Sequence, residues 1–315
     1  MKTPVIYFVL PCYNEEECLK NTYDRLNKKY DTLIADSLID KKSRIVFVDD
    51  GSKDKTWQII GKLASLNENT VGIKLAHNVG HQSALLAGLL FSKDYSDATI
   101  SMDADLQDNL NVVDGFMKAY NDGNEIVYGV RGSRKTDTAF KRGTAQVFYK
   151  IMRSLGVDLV YNAADCRLMS KKALEQLAEY PEVNLFLRGL VPLIGLNSTT
   201  VEYERDKRIA GESKYPLKKM ISFAWDGVTS FSVKPIRLVL GLGVLVSILS
   251  FVVMIYALVR WAIGQTVDGW AFTICSIWLV AGIQMISLGL IGEYIGKIYA
   301  ETKRRPRYFI EKVIK

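Results

Sequence analysis

Residues 101–108 read SMDADLQD, which sets Asp103 and Asp105 one residue apart directly after the apolar run ATISM. Carboxylates beside a core are costly unless something offsets their charge. In an extended segment residues i and i+2 point the same way, so both acids can face one cavity. Oxygen ligands of this kind suit Mg²⁺ or Mn²⁺ bridging phosphate oxygens. Such an ion stabilises a leaving diphosphate as its charge develops. A solvated acidic turn is the plain alternative for a lone pair. However, Asp49 and Asp50 in VDDGS repeat the pattern after a second apolar run. Two such pairs together point to a nucleotide-plus-metal site.

The elements that must position these acids alternate along the first two-thirds of the chain. VIYFVL, RIVFVD, VGIKLA, ATISMD and EIVYGV are short β-rich runs. Helical patterns lie between them, over Glu15–Lys28, Asp54–Leu66, Gly80–Phe91 and Val112–Asn121. That rhythm predicts an α/β domain with a largely parallel sheet. Ligands of such sheets bind beyond the carboxyl ends of the strands. PCYNEEE, DDGSKD, HNVGHQ and DADLQD each follow a strand run and converge on that one edge. A dinucleotide fingerprint would need GxGxxG after the first strand. The turn there holds no glycine and three glutamates, and a Walker loop is absent as well. A diphosphate must therefore be neutralised by a metal ion and by arginines from elsewhere. His77 and His81, four apart, are the only histidines. A zinc pair is the alternative to a structural or donor-pocket role for them.

Two long uncharged runs follow, Leu238 to Val259 and Trp270 to Gly292. Each exceeds the ~20 residues a helix needs to cross the hydrocarbon layer. The connection Arg260–Gly269 is neutral. Lys214, Lys218, Lys219, Lys234 and Arg237 precede the first run, and the tail from Lys297 onward is strongly basic. By the positive-inside rule both flanks, and everything before them, are expected on the cytoplasmic side. The formal charge of +7 is then explained by topology and anionic lipid, and nucleic acid is not needed as a partner. Ala139–Leu155 and Pro216–Val233 mix aromatic, aliphatic and basic residues. They read as helices lying in the membrane interface or packed on the domain. The N-terminal apolar stretch is too short for a signal peptide. Cys12, Cys18, Cys166 and Cys275 form no CxxC pair and are expected to be reduced.

PCYNE (Pro11–Glu15), VDDGS (Val48–Ser52), DADLQ (Asp103–Gln107) and DCRLMS (Asp165–Ser170) resemble family 2 glycosyltransferases of the GT-A fold. FLRG (Phe186–Gly189), ERDKRIAGESKYPLKKM (Glu204–Met220) and GEYIGKIYAETKRRPRY (Gly292–Tyr308) narrow the likeness to polyprenyl-phosphate glycosyltransferases. Bactoprenol glucosyltransferases stand nearer within that group than dolichol-phosphate mannose synthases. Leu193 departs from a common Trp and Ala164 from a common Gly, both on the acceptor side.

The resemblance implies a GT-A, Rossmann-like nucleotide-sugar-binding domain over 1–214 and a juxtamembrane amphipathic segment over 215–235. It also implies a two-helix transmembrane hairpin over 236–296, with spans near 236–259 and 270–292, and a basic cytoplasmic tail over 297–315. Pro11, Tyr13, Glu15, Asp49, Asp50 and Asp103 would hold the nucleotide. Asp103, Asp105 and Gln107 would hold Mg²⁺ or Mn²⁺. Arg131, Arg142, Arg205, Arg208, Ser213 and Lys214 look like a phosphate-binding set for the lipid acceptor, with the donor diphosphate as a second candidate ligand. Arginine forks independently suit phosphates, although a basic patch for bulk anionic lipid is the plainer reading. Asp165 corresponds to the family's proposed catalytic base. The acceptor phosphate is already mostly ionised at neutral pH, since its second pKa is about 6, so a positioning role for Asp165 stands beside that one.

The implied reaction is an inverting, metal-dependent transfer from a nucleotide sugar, with UDP-glucose the leading donor, to polyprenyl phosphate. It would occur at the cytoplasmic membrane face, in a homo-oligomer. A processive polysaccharide synthase and a non-catalytic nucleotide-sugar-binding scaffold are the alternatives. The first usually carries QxxRW, whereas Arg260–Trp261 here follows Ala257 in the hairpin connection.

Overall fold

The computed structural model describes residues 3–105, 108–132, 150, 152–154, 159–204, 227–230, 232–264 and 269–315. Within them the chain runs β1 (Ile6–Cys12), α1 (Leu19–Ala35), β2 (Arg44–Asp49), α2 (Thr56–Leu66), β3 (Thr70–Leu75), α3 (His81–Ser92), β4 (Ala98–Ser101), α4 (Val112–Asn121) and β5 (Ile126–Arg131). Then come β6 (Ala163–Ser170), α5 (Lys171–Ala178), α6 (Leu187–Leu193), β7 (Ser198–Tyr203), α7 (Lys234–Ala262), α8 (Trp270–Lys303) and β8 (Ile310–Ile314).

The described strands form one sheet in the order β7-β5-β6-β4-β1-β2-β3-β8. β3, β2, β1 and β4 are mutually parallel, as the alternating sequence pattern predicts. The other half is mixed. β6 inserts antiparallel between β4 and β5, and β7 pairs parallel to β5. β8, from the extreme C-terminus, adds antiparallel to β3 and closes that edge.

Period-2 alternation along the strands sorts side chains onto two faces. Ile6, Phe8, Leu10 and Cys12 join one core with α1 and α4, while Tyr7 and Val9 join the other with α3, α5 and α6. Helix α3 is buried along Ala84–Leu89 because it lies directly on β1 and β2. Gly88 permits this approach: a Cβ there would collide with the side chains of Val9 and Val48.

The apolar stripe Leu19, Tyr23, Leu26, Tyr30 and Leu33 recurs every three to four residues and drives α1 onto the sheet. The sequence predicts that helix from Glu15, yet it starts four residues later. The Glu15 and Glu16 amides donate instead to Thr56 Oγ1 (2.8 Å) and Asp54 Oδ2 (3.1 Å), which ties this stretch to the start of α2. The helix then runs past Lys28 because Tyr30 and Leu33 continue the stripe.

α7 and α8 are long and apolar enough to cross a membrane, and their most apolar windows are not buried by the rest of the chain. The second helix continues to Lys303, past the end of the uncharged run.

Candidate active site

The register of β4 and β6 builds the centre of the site. Ser101 lies opposite Arg167 in an antiparallel pair, so the next aligned position beyond β4 brings Asp103 toward Asp165. The Ser101 hydroxyl donates to the Asp165 carbonyl at 2.6 Å and fixes this crossing. Met102 and Ala104 turn into the α1 core, and the Ala104 carbonyl accepts from Thr22 Oγ1 at 2.5 Å. Asp103, between them, is left on the opposite face, the one covered by α3. In β6, Ala164, Cys166 and Leu168 alternate into the α1 core as well. Asp165 and Arg167 therefore face α3 and α6.

On that face Asp103 and Asp165 meet His81, the first residue of α3. His81 Nε2 lies 3.7 Å from Asp103 Oδ1 and 3.8 Å from Asp165 Oδ2. One donor atom from each of the three falls within 4.8 Å of the others. Arg188, at the start of α6, grips Asp165 with a fork: Nε to Oδ1 at 3.0 Å and Nη2 to Oδ2 at 2.9 Å. The buried Arg167 adds Nη2 to Oδ1 at 3.2 Å and reaches the Leu187 carbonyl with Nη1.

The two carboxylates are thereby driven in opposite directions. Burial pushes the Asp103 carboxyl up to about 6; the His81 imidazole opposes it, and the nearby acids Asp165, Asp108 and Asp105 push the same way as burial. Burial also pushes Asp165 upward, but the Arg188 fork and Arg167 outweigh it and hold Asp165 well below the ordinary carboxylate range. Asp165 thus has its compensating charge built in as a guanidinium fork, whereas Asp103 faces an imidazole at 3.7 Å. Two carboxylates and an imidazole are donors suited to a divalent transition metal or Mg²⁺, and an ion there would reverse the upward shift of Asp103.

A second wall comes from the turns after β1 and β2. Asn14, at φ +54°, donates its amide to Ser52 Oγ (3.0 Å) and accepts from the Lys53 amide through Oδ1 (2.9 Å). Tyr13 is exposed beside the buried Pro11, and Glu15 accepts the Cys18 thiol at 3.0 Å. Asp50 is 2 % exposed, and its carboxylate is taken up by the turn that leads into α3. It accepts from Asn78 Nδ2 (3.0 Å), the Val79 amide (2.7 Å) and the Gly80 amide (3.0 Å). Gly51, at φ +65°, allows this contact, since a Cβ would lie 2.6 Å from the Asn78 nitrogen. Asp49 is fully buried. Its Oδ1 accepts the Ser52 amide at 3.3 Å, and burial raises its carboxyl above the usual range.

Of the remaining residues singled out from the sequence, Asp105 and Arg131 stand near this centre. Asp105 is half-buried in the turn after β4. Arg131 ends β5, in register with Tyr203, and its Nη2 lies 3.9 Å from the buried Asp108, which accepts the Tyr203 hydroxyl at 2.6 Å. Arg131 therefore sits on this edge among its own acidic partner and a tyrosine. Gln107, Arg142, Arg205, Arg208, Ser213 and Lys214 lie outside the described residues, as do most of the two amphipathic segments. Cys12, Cys18 and Cys166 are free thiols.

Sequence reasoning gave no role to Arg188 or Arg167 and left His81 open. The signal for β6 was present in the alternation of Ala164, Cys166 and Leu168, and FLRG was visible as a motif. Nothing in either stretch says that the two meet.

The geometry is matched by kinship. Residues 7–178 match glycosyl transferase family 2. The chain belongs to that family. Residues 234–298 of this glycosyltransferase match the GtrB C-terminal hairpin. It is 54% identical to the uncharacterized glycosyltransferase YkoT of Bacillus subtilis (strain 168) over 98% of this chain and 91% of that one. It is 36% identical to the prophage bactoprenol glucosyl transferase homolog of Escherichia coli (strain K12), over 98% of this chain and 99% of that one. The bactoprenol glucosyl transferase of Shigella phage SfX is also 36% identical, over 97% of this chain and 98% of its own. The mixed sheet with its acidic edge is the α/β fold of this glycosyltransferase.

Proposed function

We propose that this glycosyltransferase moves glucose from UDP-glucose to a polyprenyl phosphate at the cytoplasmic face of a membrane, with inversion at the anomeric carbon. One observation carries the reading: the acidic centre and the two uncovered apolar helices belong to one tied body. After α8 the chain returns to the sheet, where β8 pairs with β3 and the Ala76 amide donates to the Phe309 carbonyl at 2.9 Å. The first apolar helix follows the sheet domain in the chain and the second leads back to it, which puts both outer ends of the hairpin on one side of a bilayer, and the basic flanks favour the cytoplasmic side. The sugar chemistry then lies against the surface where a lipid phosphate arrives. Relatives named bactoprenol glucosyl transferase, matching over almost the whole chain, support that acceptor and that sugar.

In this reaction an acceptor phosphate oxygen forms a bond to the anomeric carbon as the bond from that carbon to the diphosphate breaks. The electron pair leaves with UDP. Asp103 and Asp105, with His81 and Gln107 as further candidates, would hold Mg²⁺ or Mn²⁺. When bound, that ion offsets charge developing on the departing diphosphate. Pro11, Tyr13 and Glu15 line the nucleoside side. Asp49 and Asp50 act beneath it, Asp50 through the Asn78–Gly80 turn. Arg131 and the basic set Arg142, Arg205, Arg208, Ser213 and Lys214 would serve phosphates. The acceptor phosphate is largely dianionic at neutral pH and needs little deprotonation. Asp165, clamped by two guanidinium groups, is a weak base there and an effective anchor. Its role in this mechanism is to fix Arg188 and the β6 edge against the sugar.

The test is direct. Purified protein, undecaprenyl phosphate and Mg²⁺ or Mn²⁺ are incubated with a panel of labelled nucleotide sugars. Lipid-linked glucose from UDP-glucose is expected. No lipid-linked product from any donor would overturn the proposal.

A further inference from the structure

The segment 180–186, between α5 and α6, has no ladder of its own, so its backbone groups need outside partners. They find them beyond the second apolar helix. Glu301, in the last turn of α8, accepts the Val183 amide (3.0 Å to Oε1, 2.8 Å to Oε2), the Asn184 amide (2.7 Å) and Asn184 Nδ2 (2.9 Å). Arg307, just past the helix, donates Nη1 to the carbonyls of Tyr180 (3.2 Å) and Glu182 (3.4 Å). Hydrogen bonds to a charged group are about twice as strong as neutral ones, so this is a firm attachment.

Four residues beyond Asn184 stands Arg188, whose fork holds Asp165. Between them the Leu187 amide donates to Gln82 Oε1 at 2.7 Å, and Gln82 is the neighbour of His81 on α3. Phe186, Leu187, Leu190 and Val191 are buried, so α6 has little room to tilt without moving its anchors. The stretch is thus pinned at the end of α8, at the start of α3 and on Asp165. The first pin lies outside the catalytic sheet.

We propose that Glu301 is a positioning residue for sugar transfer: from the end of the second apolar helix it holds the 183–184 backbone and so keeps the Arg188 guanidinium on Asp165. The proposal rests on the sugar-transfer reading for its rate measurements alone. A misplacement of about 1 Å in such a site can cost about 100-fold in rate.

The experiment uses the full chain in lipid nanodiscs and compares Glu301→Ala, Glu301→Gln, Arg188→Ala and the Glu301→Ala/Arg188→Ala double variant. Glu301→Ala is expected to lower kcat about 10- to 100-fold, with KM for the nucleotide sugar within about twofold. Glu301→Gln keeps an acceptor oxygen and should recover most of the rate. If Glu301 acts through Arg188, the double variant is no slower than Arg188→Ala alone. Losses that multiply in the double variant would overturn the proposal, as would full kcat in Glu301→Ala. Amide hydrogen exchange gives a readout independent of the reaction. Glu301→Ala should speed exchange from Val183 through Leu190 and leave β1–β3 unchanged, whereas faster exchange confined to 183–184 would break the link to Arg188. Transfer absent in the wild-type chain would overturn the acceptor reading, and the exchange pattern would still decide the link.

Discussion

β2 ends on Asp49 with Asp50 next to it in the turn that follows, and the turn after β4 carries Asp103 and Asp105; both strands are parallel and both turns open on the same edge of the sheet. By sequence they are near twins. In the fold they differ in what meets them. Asp50 is closed off by one side-chain and two backbone donors from the Asn78–Gly80 turn, and Asp49 is buried beneath. The half-buried side chain of Asp103 faces an imidazole and a second carboxylate. An acid that has been given donors holds structure together. An acid set against another acid keeps an unmet demand for positive charge, and that demand is what a metal-assisted site requires.

The largest way to test that contrast is Asp103→Asn. Transfer should fall about 1,000-fold, equivalent to about 4 kcal/mol at ~1.4 kcal/mol per tenfold, and a chelator should bring the wild-type rate down comparably. Stability should move the other way. The folded state raises the Asp103 carboxyl to about 6, so its ionised form is penalised as pH climbs past the ordinary carboxylate value, and the penalty is complete above about 6. In chelator at pH 7.5 the Asn variant should therefore melt higher than wild type, and the gain should vanish toward pH 4. An equal or lower melting temperature at pH 7.5 would remove the distinction drawn between the two turns.

Asp165→Asn comes next. It keeps the shape and loses the charge that fixes Arg188, and a loss of about 100-fold in kcat is expected. Because Asp165 is held below the ordinary carboxylate range, it stays ionised from pH 6 to 9. The ratio of wild-type to variant rate should be flat over that interval. A rate that recovers at high pH would restore the general-base role.

Asp50→Ala should show its effect in stability. Removing the acceptor leaves the Val79 and Gly80 amides without it, at roughly 1–3 kcal/mol for each buried unsatisfied donor. A clearly lower thermal midpoint is expected, together with a weakened approach of His81 to the site. The smallest effect belongs to Asp49→Asn. Burial already favours the neutral form of Asp49, so stability should stay within about 1 kcal/mol of wild type. A loss matching that of Asp50→Ala would mean that the two neighbours share one structural task.

Much of the architecture could be read without coordinates. β2 and α4 coincide with the predicted segments, and β1, β3 and β5 differ from theirs by a residue or two, because buried alternation and amphipathic periods are local properties. The edge on which the site forms follows from the α/β alternation and the rule that ligands bind beyond the carboxyl ends of parallel strands. The two apolar helices follow from length and composition. The family motifs marked Asp103, Asp105 and Asp165 as acids worth watching.

Pairing across the chain was a different matter. That β6 runs antiparallel beside β4, bringing Asp165 to Asp103, depends on a register between segments more than 60 residues apart, as the Ser101–Asp165 bond shows. That His81 completes the trio follows from where α3 docks, and that docking depends on Gly88 meeting Val9 and Val48. The basic tail reads as a solvated membrane flank, yet Ile310–Ile314 forms an edge strand and Glu301 binds the segment before α6. By itself the sequence determined which residues could bear charge and which stretches would bury or span. Only the tertiary structure decided which charges were answered and which were left facing one another, because that is set by long-range packing and backbone hydrogen bonds that no local pattern encodes.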